Sequence, residues 1–345
     1  MKMTACRFHR YRLPLARPIV VGNVTSTHRE GLIITLQNAS GRIGCGEIAP
    51  LPGLHAENLD DIIVQLSAVK DRVTTIDWSI NEPTQPSQCD EALQGLMPSV
   101  RCGLEMALMN LSANDMSNAD IAICGLVTAD TDACEQARRL SAAGYTTVKI
   151  KVGRTDLDRD TDTIGRIRGE VADRMQLRLD ANRAWTLDEA LRFCRQVGPE
   201  AIEYIEEPVA DPADHKAFIR EAGMPMALDE TLTGIEPSEL AIPDGVAAVI
   251  LKPSTLGGLS RTTRWIDAAG KRDIRAVLSS CFETALAVRT YAAMAVRMGL
   301  TDIAQGLDTL KFLREDVASA PVVRNGRMSI GPFRVRHELL EEIIV

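Results

Sequence analysis

The chain has 345 residues, with 39 Lys and Arg against 47 Asp and Glu, a net charge of −8 at pH 7, and 4% aromatic residues. A chain of this length is expected to form about two domains, each able to bury a core. No dense Lys/Arg run and few rings for base stacking exclude nucleic acid and anionic membrane as partners and leave a small molecule.

Met1-Lys2-Met3-Thr4-Ala5-Cys6 lacks the basic-then-apolar pattern of a signal peptide, and no apolar run reaches transmembrane length, so a cytoplasmic protein is expected. Cys6, Cys45, Cys89, Cys102, Cys124, Cys134, Cys194 and Cys281 stand singly without CxxC spacing, which predicts free thiols rather than a zinc or redox site. Oligomeric state is left open.

In chain order, Gly31–Leu36 and Gly41–Glu47 read as an antiparallel hairpin around a Gln37–Ser40 turn, with Pro18–Arg29 as a longer loop before it and Ala49–Gly53 as a rigid turn after it. Asn58–Val73 has helical spacing, Thr74–Gln88 is polar and proline-bearing, and Val100–Leu111 is a second helix with Cys102, Met106 and Met109 or Leu111 as its apolar stripe. Strands and helices then alternate. Strands are expected at Ile121–Cys124, Thr147–Val152, near Leu177, Ile202 and Met226, and at Val246–Leu251, Arg275–Ser280 and Thr301–Ala304. The intervening helices are Thr131–Ala143, Asp160–Val171, Thr186–Val197 with a Thr186/Glu189 capping box, Asp214–Glu221, a short one near Pro237–Leu240, Ser260–Ala269 and Thr284–Arg297. This is the pattern of an α/β, (β/α)8-type barrel over residues 116–315. An α+β capping domain over residues 1–115 is completed by the tail, 316–345, whose short β-like runs return to it.

Charges recur where the apolar strand runs end. Lys151, Asp180, Glu206, Asp229 and Lys252 follow one another at roughly 23 to 29 residues, the length of one strand, loop and returning helix. The C-terminal rim of such a barrel is where catalytic groups collect. Strand alternation puts Lys149 and Lys151 on one face and Val148, Ile150 and Val152 on the other; Arg178, Asp180 and Asn182 obey the same rule. Buried ammonium groups require carboxylates opposite them. A purely structural ionic network would need neither this phase nor three separate strand-end acids.

Three carboxylates without Cys or His suit a hard divalent ion such as Mg²⁺, and two lysines beside it could give and take a proton at an acidified carbon. Of the five histidines only His215 falls in the barrel, well past its strand, so neither a histidine base nor a nucleophile within Ser279-Ser280-Cys281 is expected. Gly257 and Gly258 after the sixth strand are candidates for presenting backbone amides to an anionic substrate group.

The set Lys149-x-Lys151, Asp180-x-Asn182, Glu206-Glu207-Pro208, Asp229-Glu230 and Lys252-Pro253, in order and in phase, resembles the enolase superfamily, in the subgroup typified by muconate lactonising enzymes. A Lys or His base beside Mg²⁺ is a general property of that superfamily. Within the subgroup, Arg178–Trp185 and Gly306-Leu307-Asp308-Thr309-Leu310 are similar to the third- and eighth-strand signatures of the o-succinylbenzoate synthase family of menaquinone biosynthesis. Dipeptide epimerases usually show Asp-x-Asp there, and Gly306 stands at its first position.

The resemblance implies a lyase that dehydrates 2-succinyl-6-hydroxy-2,4-cyclohexadiene-1-carboxylate through a metal-stabilised enediolate. N-acylamino acid racemase or dipeptide epimerase is the alternative on the same scaffold. It further implies Asp180, Glu206 and Asp229 as ligands of Mg²⁺ (Mn²⁺ as a substitute), Lys151 as the base and Lys252 as the cation on the opposite face. Lys149, Arg178, Asn182, Gly257, Gly258, Ser280 and Asp308 are implied as supporting or substrate-binding residues, and loops around Val20–Thr27 and Ala49–His55 as the cover that shuts out water.

Overall fold

The computed structural model describes residues 2–76, 78, 93–112, 119–128, 132–171, 174–331 and 334–345. The expected domain boundary at 115/116, most of the polar 74–88 stretch, and Cys89 lie outside those residues.

The N-terminal part opens with β1 (Met3–Val21), β2 (Val24–Asn38) and β3 (Ile43–Ile48), an antiparallel meander. The stretch from Pro18 to Arg29, expected as a loop, is instead the end of a long hairpin, with Ile19 opposite Ser26 and Val21 opposite Val24. Its turn is the residue pair Gly22-Asn23, with Gly22 at φ 54°, a two-residue connection that suits the twist of paired strands. This hairpin tip is held by its backbone ladder, and its exposed side chains give no apolar alternation to read.

α1 (Leu59–Thr75) starts at a capping box in which Asn58 and Asp61 satisfy each other's backbone amides. α2 (Pro98–Ser112) is buried almost all round. Its Val100, Leu104, Leu108 and Leu111 join the core of the capping sheet, while Cys102, Met106 and Met109 face the barrel core. β3 lies so close to α2 that Gly44 and Gly46 have no room for a side chain.

β4 (Ala119–Ala122) does not open the barrel as expected of Ile121–Cys124. It pairs antiparallel with a tail strand, and the parallel sheet begins at β5 (Gly125–Val127). There follow α3 (Ala133–Ala142), β6 (Thr147–Lys151), α4 (Leu157–Val171), β7 (Gln176–Asp180), α5 (Leu187–Val197), β8 (Ile202–Glu206), α6 (His215–Glu221), β9 (Met226–Leu228), β10 (Val246–Leu251), α7 (Pro253–Leu256), α8 (Leu259–Gly270), β11 (Arg275–Leu278) and α9 (Ala285–Arg297). Thr186 and Glu189 form the expected capping box before α5. The short helix expected near Pro237 is a turn, because only a few residues separate that proline from Pro243 and a helix needs more length to close its bonds.

The described parallel sheet has seven strands in the order β11-β10-β9-β8-β7-β6-β5. The eighth, expected at Thr301–Ala304, is reduced to single parallel bridges, Ile123 to Gln305 and Ser279 to Gly306. Gln305, fully buried, explains the replacement: its side-chain oxygen accepts from Leu278 N at 2.7 Å and its amide donates to the carbonyls of Leu300 and Ile303. One side chain satisfies groups that a ladder would otherwise pair. Of the tail strands β12 (Val322–Arg324), β13 (Arg327–Ile330) and β14 (Glu341–Ile343), the last pairs with β1 of the capping sheet, while β12 and β13 form a separate sheet with β4. Among the described residues no helix is long and apolar enough to cross a membrane.

A Cβ on Gly46 would stand 1.9 Å from the Gly103 carbonyl oxygen and 2.7 Å from Ala107 N, both rigid helix backbone. Gly46→Ala is therefore expected to force β3 off α2 and cost about 1–3 kcal/mol or more, read as a lowered urea midpoint.

Candidate active site

Parallel register assembles the site. Lys151 of β6 is opposite Asp180 of β7, Asp180 is opposite Glu206 of β8, and Glu206 is opposite Ala227 of β9, with Asp229 two residues further on the same face. Lys252 follows the end of β10. Residues far apart in the chain thus form one layer at the C-terminal mouth of the sheet. Asp180 and Glu206 are wholly buried and Asp229 nearly so.

Each acid is met by an ammonium. Lys149 Nζ lies 2.6 Å from Asp180 Oδ2 and donates to both oxygens of Glu206 at 2.8 and 3.0 Å. Lys151 Nζ donates to Asp180 Oδ2 and to Asn182 Oδ1, both at 2.6 Å. Lys252 Nζ donates to Asp229 Oδ2. The Asn182 amide spans on to Glu230 Oε1 at 2.9 Å.

These neighbours set different proton affinities. Burial works against the charge of Lys149, but Asp180, Glu206 and Asp229 outweigh it and hold its pKa well above the ordinary value. Lys151 shares its carboxylate with Lys149; burial, seconded by that neighbouring ammonium, wins over Asp180 and lowers its pKa. Burial opposes the charge on Lys252 too, yet Asp229 and Glu230 raise its pKa. The two lysines singled out as reactive are therefore shifted in opposite directions.

Over this layer lies a cavity of about 780 Å³. Val20, Val21 and Gly22 of the hairpin tip, and Leu51, Gly53 and Leu54 after β3, form part of its wall, so both expected covering loops reach it. A network that strand patterning alone did not flag holds the second loop in place. Arg29, 1% exposed, donates to the carbonyls of Ala49, Pro50 and Phe282, and Glu47 accepts from Thr284 N and from Thr284 Oγ1 at 2.6 Å. Their only sequence signal is charge inside an apolar strand.

The remaining predicted residues divide. Ser280 lines the cavity, its hydroxyl 2.6 Å from Thr309 Oγ1. Asp308 also lines it, but its carboxylate already accepts from Leu126 N and Lys311 Nζ. Arg178 also lines the cavity, its charge paired with Glu203 at 2.7 Å and one further N–H donated to the Ala304 carbonyl at 2.5 Å.

Gly257 and Gly258 do not present free amides: both N–H groups bond to the Pro253 carbonyl. Gly258, at φ 115°, instead admits the Glu105 carboxylate, which accepts from Ser260 N and Oγ and from Arg101 and so ties α8 to α2. A second missed residue is Glu207, fully buried, which accepts from the amides of Asp229 at 2.9 Å and Thr231 at 2.8 Å and from Arg183 at 3.0 Å. It fixes the backbone that carries Asp229.

As they stand, the acids turn toward lysines, and among the described residues no three acidic, His or Cys groups close into a metal cage. The donor chemistry nonetheless fits a hard cation. Asp180, Glu206, Asp229 and Glu230 outnumber the ammonium groups of Lys149, Lys151 and Lys252, and burial together with Asp180 and Asp229 pushes the Glu206 carboxyl well above its usual range. All the donors are oxygens, as Mg²⁺ requires.

Residues 132–332 match the family described as enolase C-terminal domain-like, and residues 3–111 match the MenC N-terminal domain. The o-succinylbenzoate synthase of Vibrio cholerae serotype O1 (strain M66-2) is 31% identical over 95% of this chain and 98% of its own length. The chain belongs to the o-succinylbenzoate synthase family of the enolase superfamily. Members of this family are lyases, and the chain is an enzyme of that kind. Protein PHYLLO, chloroplastic, of Arabidopsis thaliana is 32% identical over 92% of the chain, which spans only 21% of that longer protein. The fold is shared with MenC from Desulfotalea psychrophila LSv54 (TM-score 0.81, 23% identity, 96% of this chain and 100% of that one). It is shared equally with a dipeptide epimerase from Methylococcus capsulatus complexed with Mg and a dipeptide (TM-score 0.81, 24% identity, 96% and 97%). A family scaffold of barrel and cap therefore carries the strand-end charges described above.

Burial works against the charge of Glu207, but His215, the amides of Thr231 and Asp229, and Arg183 bring its carboxyl down to about 2. A depressed acid stabilises the fold above its unfolded pKa, near 4.3, and that contribution is lost as pH falls through the folded value. In EDTA, the chain is expected to lose roughly 3 kcal/mol from this group between about pH 5 and pH 2, and Glu207→Gln to flatten that part of the profile, measured by urea unfolding.

Proposed function

We propose that the chain removes water from 2-succinyl-6-hydroxy-2,4-cyclohexadiene-1-carboxylate to give 2-succinylbenzoate. The observation that carries this reading is geometric: in a chain of the o-succinylbenzoate synthase family, Lys151 and Lys252 face one cavity above the strand-end acids, Lys151 bonded to Asp180 and Asn182 and Lys252 to Asp229. An elimination needs one base and one persistent cation, whereas a two-base racemisation needs both groups to exchange protons.

Asp180, Glu206 and Asp229 would hold the divalent ion, Mg²⁺ with Mn²⁺ as a substitute, which when bound supplies positive charge beside the ring carboxylate and acidifies the adjacent C–H. Lys151 Nζ, neutral, takes that proton. The same group, now an ammonium on the same face, returns it to the departing hydroxyl, and water leaves as the ring becomes aromatic. Lys252 remains protonated against Asp229, facing the developing negative charge and then the aromatic face. Lys149 keeps Lys151 easy to deprotonate, and Asn182 aims it by accepting one of its N–H bonds at 2.6 Å.

The epimerase reading draws on the same two cavity-facing lysines. Gly306 counts against it, since it leaves no carboxylate at the first position of the Asp-x-Asp pattern.

Purified enzyme given the cyclohexadiene substrate with Mg²⁺ is expected to form 2-succinylbenzoate, to stop in EDTA and to recover on adding Mg²⁺. Lys151→Ala should lose at least about 10²–10⁴ in kcat while Mg²⁺ binding and the urea midpoint are retained. Loss of folding in that variant would point to a structural ion network instead. The rate should rise with pH as Lys151 deprotonates, with an apparent pKa below the ordinary lysine value of about 10.4. In D₂O, exchange of the α-proton of N-acylamino acids or dipeptides from both faces would favour the epimerase.

A further inference from the structure

The rim of the cavity carries a charge that the elimination does not use. Among the described cations lining it, Lys149, Lys151 and Lys252 are paired with the strand-end acids and Arg178 with Glu203. Arg154, exposed on the turn after β6, makes neither an ion pair nor a hydrogen bond through its guanidinium among the described residues.

The turn that presents it is firmly built. Asp160, 7% exposed at the start of α4, accepts from Gly153 N at 2.6 Å through one oxygen and from Thr155 Oγ1 at 2.5 Å through the other. Both neighbours of Arg154 are thus tied to one buried carboxylate. Gly153, at φ 75°, brings the turn so close to the loop after β7 that a Cβ there would stand 2.5 Å from Ala184 Cβ. The backbone is anchored on both sides, which places a donor fork on a fixed turn at the edge of the cavity. The same cavity is lined by apolar Val20, Val21, Leu51, Leu54 and Val152, and its hydroxyls at Ser279, Ser280 and Thr309 carry no charge. The apolar part accepts a methylene chain, and a carboxylate at its end needs a cation to replace its water.

We propose that Arg154 binds the second, distal carboxylate of a two-carboxylate substrate and so sets the selectivity of the site for diacids. The inference rests on the dehydration reading and adds to it the recognition of the succinyl end. With the ring carboxylate drawn to the charge layer at the strand ends, a flexible four-carbon acid arm extends toward the rim, where the planar guanidinium can take its terminal carboxylate through two parallel N–H bonds.

The test compares the diacid with its analogue in which the succinyl carboxylate is a primary amide. Steady-state turnover is measured on both cyclohexadiene substrates, and calorimetric binding on the two stable aromatic products, for wild type, Arg154→Gln and Arg154→Lys. For Arg154→Gln, KM and Kd for the diacid should rise on the order of tenfold to a hundredfold, with kcat within about threefold. Values for the amide should be unchanged from wild type, and Arg154→Lys should recover part of the diacid preference. Equal weakening of acid and amide, or no change in either, would overturn the role of Arg154 while leaving the dehydration intact. Wild type that neither binds nor turns over the diacid would overturn the dehydration reading itself, and that failure shows without any variant.

Discussion

Charge held out of water at the ends of parallel strands is the constraint on which this molecule turns. Asp180 has no exposed surface, and an acid so placed stays ionised only if cations are fixed beside it. The sheet register supplies the cations, because lysines two residues apart on β6 face the same side and meet β7 and β8 in turn. Lys149 is shared between two carboxylates, and Asp180 Oδ2 is shared between two lysines. Lys151, holding the poorer share, is the ammonium least compensated for its burial. The lowered proton affinity of Lys151 comes from an uneven division of charge, without any special property of the residue itself. The same division leaves the layer with more acid than ammonium, a deficit that a divalent cation would fill.

The charge layer has to be covered without being sealed, and the cap is joined to the barrel by polar groups that are themselves buried. Arg29 spends its guanidinium on carbonyls from both parts, Glu47 receives the first amide beside α9, and Glu105 reaches α8 over a glycine with no side chain to block it. Each is a charged group whose partner belongs to the other part, so a shifted cap would leave it buried and unpaired, a penalty larger than a lost apolar contact. Directional bonds of this kind fix where Ala49 and Pro50 stand, and through them the wall made by Leu51 and Leu54. The hairpin tip at Gly22 rests on its own ladder and has fewer such ties.

What could be read from the sequence follows the same physics. The strand-end charges were legible because strand alternation and the repeat of the βα unit are local, periodic properties of the chain; β6 to β8 and their acids and lysines fall where those periods put them. The eighth strand was not, because the side chain of Gln305 does the work of a ladder and no periodicity records that. Gly257 and Gly258 looked like free amides beside an anion site. Whether an N–H is free depends on the Pro253 carbonyl, and whether a glycine is needed depends on Glu105 arriving from α2. The hairpin tip was missed for a related reason: its arms are paired through backbone, and its side chains are largely exposed, so the alternation that marks a half-buried strand is absent. The two-residue Gly22-Asn23 turn was the available signal.

The two arginines of the cavity differ in whether the chain already pairs their charge. Arg178 lies in phase with Asp180 and Asn182, and phase alone made it a candidate for contact with a ligand. Glu203 pairs with its charge, the Ala304 carbonyl accepts one of its N–H groups, and the ring of Tyr204 lies 5.1 Å from it. Arg154 lies off the strand, where no period marks it, and only the roll of partners distinguishes it from an ordinary solvated arginine. Position decides whether a cation can reach the cavity, but availability is decided by whether a neighbour has already neutralised it. At this site the buried cations are committed to acids of the chain, and an incoming acid finds an open partner only at the rim or through the acid surplus of the strand ends.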